Sequence, residues 1–329
     1  MKTKHPVTSR RAIRNEGGFT LIEMMVAITI GLAIIAGLLT VLASNSSSSK
    51  TNERTSELLT NGRYALNSLK HEFRQAGYRG YTWAEPNALS TSIGTLTGEC
   101  LETGATAGSF VPNIRQGLWG ANNSNPFSGN CIPAATYASD ASGKGDDVLV
   151  IRRLADEPAT TLLANTFYFH SSYGVGEVFR GTTAPAFTGS PTPLADFSLQ
   201  VYVYYISPYT TSATESPKVP ALYRVALRSD GSMTRELVAS GIEHFQVQYG
   251  RLSTVPDTRY YDTVAGTSSN TSPSDWDEVN SVRIWLLARN AAAEPGYVNT
   301  SSYAMGDQVF TVNDSFRRQL FTTVVQLRN

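Results

Sequence analysis

Residues 19–43 contain no Lys, Arg, Asp or Pro, and Glu23 is the one ionisable side chain among them. At about 1.5 Å of rise per residue a helix over this run reaches about 37 Å, enough to cross a hydrocarbon core of about 30 Å. The run therefore reads as a membrane-spanning helix with a carboxylate inside it. An acidic side chain at the centre of a bilayer costs roughly 2.5–3.5 kcal/mol on insertion scales, so Glu23 needs a partner and is a functional candidate. Lys2, Lys4, Arg10, Arg11 and Arg14 precede the run against a single acid, Glu16. That bias holds the N-terminal side in the cytoplasm and sends the rest of the chain across.

An ordinary secretory signal would be cut after its apolar region at small residues, and Ala43-Ser44 allows such a cut. The stronger local pattern stands before the apolar region, in Glu16-Gly17-Gly18-Phe19-Thr20-Leu21-Ile22-Glu23. This run resembles the class III signal of type IV pilins and pseudopilins. The resemblance implies that a prepilin peptidase cuts between Gly18 and Phe19, that the new Phe19 amine is N-methylated, and that Glu23 neutralises the N-terminal amine of a neighbouring subunit during assembly. A buried carboxylate paired in this way specifies register. Gly31 and Gly37 lower helix propensity by about 1 kcal/mol each relative to Ala. Close helix packing through small residues and local unwinding on entry into a filament both account for them.

The segment after the membrane run begins with a serine-rich stretch, 44–49, that reads by composition as a flexible linker. Helical spacing then resumes in Leu59, Leu66, Leu69, Phe73 and Ala76, with Glu53, Arg54, Arg63, Asn67, Lys70 and Arg74 on other faces and Gly77 as a stop. The expectation is one helix of nearly 60 residues, bent near the serines, whose second half packs on a sheet. Beyond Tyr78 the pattern turns to short β-rich segments, the clearest at 147–152, 197–206, 221–228, 242–249, 279–288 and 316–327. Ser229-Asp230-Gly231-Ser232 supplies a hairpin turn, and a mostly antiparallel sheet follows. The expected division is a cleaved basic leader at 1–18, a transmembrane and assembly helix at 19–43, an amphipathic continuation at 44–77 and a β-rich head at 78–329. The stretches 82–142 and 253–276 show little periodicity and read as partner-specific loops.

Cys100 and Cys131 are the two cysteines, and export places both in an oxidising compartment. A bond between them closes a loop worth roughly 3–4 kcal/mol on the chain-entropy model; free thiols or an intermolecular bond are the alternatives.

Three C-terminal segments narrow the family: Gly241-Ile242-Glu243-His244-Phe245-Gln246-Val247-Gln248-Tyr249-Gly250, then Trp276-Asp277-Glu278-Val279-Asn280-Ser281-Val282-Arg283-Ile284-Trp285-Leu286-Leu287-Ala288-Arg289, and the ending from Arg317-Arg318-Gln319-Leu320-Phe321 to Leu327-Arg328-Asn329. With Asn61-Gly62-Arg63-Tyr64-Ala65 on the helix they resemble the PilW-type minor pilins. That resemblance implies an α+β, pilin-like subunit of low abundance that primes type IV pilus assembly with other minor pilins at the filament tip, serving twitching motility, adhesion or DNA uptake. It also implies the major pilin, the prepilin peptidase and an inner-membrane assembly platform as partners. The location implied is the inner membrane, single-pass with a periplasmic head, and then the extracellular pilus. The nearest alternative is the J-type minor pseudopilin of type II secretion, and a second class is a tip adhesin whose Tyr260, Tyr261, Tyr297 and Tyr303 contact a ligand or a neighbouring subunit.

Catalytic signatures are missing from the sequence. The four histidines, His5, His71, His170 and His244, have no zinc-site spacing, and no nucleophile elbow, phosphate loop or dinucleotide fingerprint occurs. No enzyme activity, catalytic residue or cofactor is expected; His244 reads as a strand residue satisfied by its neighbours. Asp257, Asp262, Asp275, Asp277 and Glu278 crowd one stretch where oxygen ligands could hold calcium, though their spacing fits no EF-hand. Formal charge is zero with 16% charged residues, and basic residues after Arg74 are scattered, so nucleic acid is not indicated.

Overall fold

A computed structural model describes residues 18–84, 90, 91, 93, 96, 98–127, 131–140, 143–189, 192–252, 258–264, 276 and 278–327. The basic leader up to residue 17, His5 included, lies outside them, as do Asp257, Asp275 and Asp277. The chain divides into two compact units, residues 1–53 and residues 54–329.

In the first unit the described residues form the start of α1 (Leu21–Gln75), 55 residues without interruption. The stretch 44–49, linker-like by composition alone, is helical throughout, as the expected single long helix requires. Ser costs a helix only a few tenths of a kcal/mol per residue relative to Ala, too little to break a helix already propagating from both sides. Hydroxyls in the apolar run are satisfied within the helix: Thr29 Oγ1 donates to the Val26 carbonyl (2.9 Å) and Thr40 Oγ1 to that of Gly37 (2.7 Å).

In the second unit, residues 54–75 of α1 bury Leu58, Gly62, Ala65, Leu69, Glu72 and Phe73. This stripe is rotated from the expected one, since Leu59 and Leu66 are only half-buried. The reason lies at Gly62, where a Cβ would collide with the ring of Phe321. The helix comes against the sheet at this glycine, on the line of Leu58, Gly62, Ala65 and Leu69, and Leu59 and Leu66 flank that line. Gly77 ends the helix in the left-handed region (φ 78°), and its N–H donates to the Arg152 carbonyl (2.9 Å).

Two sheets make up most of the unit. The first contains β1 (Ser90–Thr91), β2 (Leu118–Ala121), β3 (Val148–Leu154), β4 (Phe167–Ser171), β5 (Gly176–Arg180), β6 (Ala195–Ser207), β7 (Ala221–Leu227) and β8 (Met233–Ser240). Its path is β1-β5-β4-β6-β3-β2, and β7 joins β6 to β8. Every pairing is antiparallel except β1 with β5. β6, thirteen residues long, pairs with β4, β3 and β7 along successive parts of its length. Its centre is covered on both faces, which fits Val201 to Ile206 reading as apolar or aromatic on both faces. The second sheet is antiparallel with order β10-β9-β11-β14, from β9 (Ile242–Leu252), β10 (Thr258–Tyr261), β11 (Val279–Arg289) and β14 (Arg318–Gln326). β12 (Ser302–Met305) and β13 (Gln308–Thr311) form a hairpin whose ladder is separate from both sheets.

Two buried aspartates stitch the sheets together. The N–H of Phe245 donates to Asp146 Oδ1 (2.9 Å), and that of Val247 to Asp147 Oδ2 (2.7 Å), while Asp147 N–H donates to the Phe245 carbonyl (3.1 Å). These carboxylates take the place of ladder carbonyls where the chain enters β3 beside β9. Burial holds the Asp147 carboxyl well above its ordinary range, against the lowering effect of the hydrogen bonds from Asn123 and Val247.

The long stretch 82–142, expected as surface loop, feeds the core. Phe110, Val111, Ile114, Phe127 and Ile132 are all buried, and Cys100 and Cys131 are joined in a disulfide across 31 residues. Its organiser is Arg152, wholly buried on β3. The guanidinium donates to the carbonyls of Phe110 (2.9 Å) and Gln116 (3.2 Å) and lies 4.4 Å from the Phe110 ring centre. Burial lowers its pKa to about 10, with Glu102 and Glu99 pulling the other way, so it remains charged at neutral pH. A cation can therefore order an irregular segment that has no hydrophobic periodicity, by bonding main-chain carbonyls that would otherwise be orphaned.

Candidate functional site

The sequence places its candidate chemistry at the entrance to α1. Gly18 and Phe19 precede the helix in irregular backbone; nothing lies within 4 Å of where a Gly18 side chain would begin, and Phe19 is 88% exposed. The peptide between them is thus unhindered by the rest of the described chain. From Leu21 through Leu42 the large apolar side chains are exposed along the helix, which is long and apolar enough to cross a membrane.

Glu23 stands one turn into this helix and folds back on its start. The Thr20 N–H and Oγ1–H both donate to Glu23 Oε2 (3.0 and 2.9 Å), and Glu23 N–H donates to Thr20 Oγ1 (3.3 Å). This is a reciprocal capping box, in which residues at N-cap and N3 satisfy each other's orphan donors. The motif Thr20-x-x-Glu23 was legible in the sequence, where membrane burial drew attention to the glutamate alone. All three contacts use Oε2 or the main chain, and no described residue donates to Oε1. The carboxylate therefore has an intrachain partner and one oxygen open to a second donor. A cation arriving at Oε1 would meet a side chain whose rotamer is already fixed.

The other candidates separate into supports of the fold. Cys100 is fully buried and bonded to Cys131. Asp262 accepts from Gln248 Nε2 (2.7 Å) and Glu278 pairs with Arg251, so the two described members of the acidic cluster are engaged separately. Among the described residues no three His, Cys, Asp or Glu side chains gather as a metal site would require. Of the tyrosines, Tyr260 lies beneath the Arg283 guanidinium (3.9 Å), Tyr297 beneath that of Arg317 (4.3 Å), and Tyr303 receives a hydrogen bond from Asn299 Nδ2 (3.1 Å). Tyr261 keeps 37% of its surface exposed. His71 is exposed on α1; His170 meets Asp196 at 2.6 Å, and His244 meets Asp146 at 3.1 Å while stacking on Phe310. Among the described residues, the polar partner of each of the three is a carboxylate: Glu72, Asp196 and Asp146.

Residues 203–329 match the family model of the type IV pilus-assembly protein W, and residues 13–39 match the prokaryotic N-terminal methylation motif. The first match spans β7 to β14, including the whole second sheet and the Phe321 that meets Gly62; the second spans the capping box and the exposed apolar helix. No curated protein and no solved structure matches the chain. The two family matches support a type IV pilus minor pilin, a structural component with a prepilin-type N-terminus and an apolar helix suited to membrane anchoring.

Proposed function

We propose that this chain primes type IV pilus assembly at the filament tip together with other minor pilins, after a prepilin peptidase cuts between Gly18 and Phe19 and the Phe19 amine is methylated. The observation that carries this reading is the open, exposed Gly18–Phe19 peptide one helical turn before a glutamate with a free oxygen. In the membrane before assembly, the Thr20 contacts lower the cost of holding Glu23 in lipid. During assembly the amine of a neighbouring subunit binds Oε1. Losing one partner of a buried ion pair costs about 3–5 kcal/mol, so the pairing is strong enough to select register in the filament.

Mass spectrometry of the N-terminus, on chain recovered from sheared surface filaments and from membranes, tests the pathway. A methylated Phe19 start in filaments supports it. Recovery with that start from membranes alone redirects the reading to a secretion pseudopilin, and a start at Ser44 refutes both. Two variants then separate the roles of Glu23. Glu23→Gln keeps a capping oxygen but presents no charge, whereas Glu23→Ala loses both. Equal loss of filament incorporation in the two variants identifies the charge as the assembly determinant; normal incorporation of Glu23→Gln refutes the pairing.

A further inference from the structure

The open edge of the second sheet has the properties of a docking strand. β14 pairs with β11 in unbroken antiparallel register from Arg289 opposite Arg318 to Ser281 opposite Gln326. Just beyond each end, Asn290 N–H donates to the Arg317 carbonyl and Leu327 N–H to that of Asn280, both at 3.0 Å. Bonded and non-bonded pairs alternate along such a ladder, so odd-numbered residues of β14 turn their main-chain groups toward β11 and even-numbered ones turn theirs away. The outward set is Arg318, Leu320, Thr322, Val324 and Gln326. Among the described residues none bonds the main chain of Thr322, Val324 or Gln326; the Leu320 carbonyl takes Gln319 Nε2. The side chains of Thr322, Val324 and Gln326 are exposed as well, Val324 by 48%.

Folded proteins blunt such edges with charge, proline, bulges or short length. The other described edges of the two large sheets follow this rule: β1, β2 and β10 have two, four and four residues, and β8 is interrupted by a register shift against β7. β14 has nine residues, no proline and no register shift, and its one ionisable side chain, Arg318, is balanced by Glu243 and Asp314. We propose that this edge receives an extended segment of a different filament subunit, which adds as a fifth strand to the second sheet. Outward N–H and C=O groups repeating every second residue are satisfied along their length by another strand and by no compact ligand.

The charge beside the edge selects the segment. At its C-terminal end, Lys70 and Arg74 line an open cleft of about 360 Å³ with Val324, Val325 and Gln326, and neither has an ion-pair partner among the described residues. A second copy of this chain, added antiparallel, would bring its own Arg318 to that end. The complement is a neutral strand with an acidic side chain placed against Lys70 and Arg74.

The proposal rests on the subunit reading for where the partner is met, so the test reads the two apart. A photo-crosslinking phenylalanine derivative is introduced into the full chain at Thr322, at Val324 and, as an exposed control, at Thr160, with the N-terminus scored in the same samples. The expected result is adducts from the two edge positions, absent from the control, mapping to one extended, acid-bearing segment of another pilin-type chain. Val324→Pro removes an N–H that bonds nothing within the sheet, so it spares the fold. It should lower the Thr322 adduct about tenfold, the factor that 1.4 kcal/mol represents, in chain that keeps its Cys100–Cys131 disulfide. Equal adducts from Thr160, an undiminished adduct in Val324→Pro, or adducts to a second copy each overturn the proposal. A methylated Phe19 start with no edge adduct overturns it and leaves the pilin pathway standing; edge adducts without that start uphold the docking edge and remove the pathway.

Discussion

Glu72 on α1 and Arg153 on β3 form the ion pair that fastens the helix to the first sheet. Arg153 Nε donates to Glu72 Oε2 at 2.7 Å, and the two side chains retain only 7% and 11% of their exposure. Removing one member of a buried pair costs about 3–5 kcal/mol, because the other is left uncompensated, whereas an exposed pair is worth about 0–1 kcal/mol. Arg153 keeps two further acceptors, the Leu154 carbonyl (3.1 Å) and, at 3.5 Å, the mostly exposed Asp156. Glu72→Ala should therefore fall at the lower end, a loss of about 3 kcal/mol or roughly two powers of ten in the folding constant. The assay is equilibrium urea denaturation of the purified full chain in mild detergent, followed by the fluorescence of Trp83, Trp119, Trp276 and Trp285. Glu57→Ala, at an exposed position of the same helix, should stay within about 0.5 kcal/mol of the parent. Replacing both partners, Glu72→Met with Arg153→Met, should recover most of the loss, since no charge is then stranded. Equal midpoints for Glu72→Ala and Glu57→Ala would show that water reaches the pair and would refute the reasoning.

Three further perturbations probe other joints. Burial draws the His244 imidazole down, but the charge and hydrogen bond of Asp146 outweigh it and raise the pKa above the ordinary 6.5. Its contribution is complete below that ordinary value and is lost as pH rises through the folded one, so urea midpoints should fall from about pH 6 to about pH 8 more in the parent than in His244→Gln. Gly62→Ala gains about 1 kcal/mol of helix propensity but drives a Cβ into Phe321, an overpacking cost of about 1–3 kcal/mol. Denaturation midpoints should show it as destabilising in the parent and stabilising in Phe321→Ala, a reversal of sign. Replacing Cys100 and Cys131 together by Ala should cost roughly 3–4 kcal/mol, read in the same denaturation.

The parts of the fold that were legible in the sequence are those where side-chain periodicity survives. All six strands expected from alternation are present, within two residues at their starts and three at their ends. The hairpin at Ser229-Asp230-Gly231-Ser232 joins β7 to β8, with Gly231 at φ 84° where the turn demands it. What was missed is held by polar groups with no period. β4 and β5 are five residues each, too short for alternation to register. The 82–142 stretch folds around the buried Arg152 guanidinium, and the junction of the two sheets depends on Asp146 and Asp147 acting as substitute acceptors. Arg and Asp in a sequence are read as solvated by default, because burial is rare for them unless a partner is present. Their partners here are main-chain groups, which no sequence pattern announces. At the helix entrance the sequence carries two signals, the acid Glu23 within an apolar run and the capping pattern Thr20-x-x-Glu23.

That local partner bears on the order of events. A glutamate with nothing but lipid around it would be costly in the membrane and free to choose among rotamers, and both penalties would fall on assembly. The capping box removes part of each beforehand: Thr20 satisfies Oε2, and the helix start fixes where Oε1 points. Under the proposed pairing, an incoming amine would add a bond to a carboxylate already in position. The same logic governs the unit from residue 54 onward. Gly62 against Phe321, Glu72 against Arg153, and Gly77 bonded to Arg152 fix residues 54–77 to both sheets. The helix there cannot turn on its axis without breaking a buried ion pair. The β14 edge, one strand of the sheet that holds Phe321, is thereby locked in register with the helix face beneath it. A partner that added to β14 would read the rotation of this helix directly, as the proposed priming role would require.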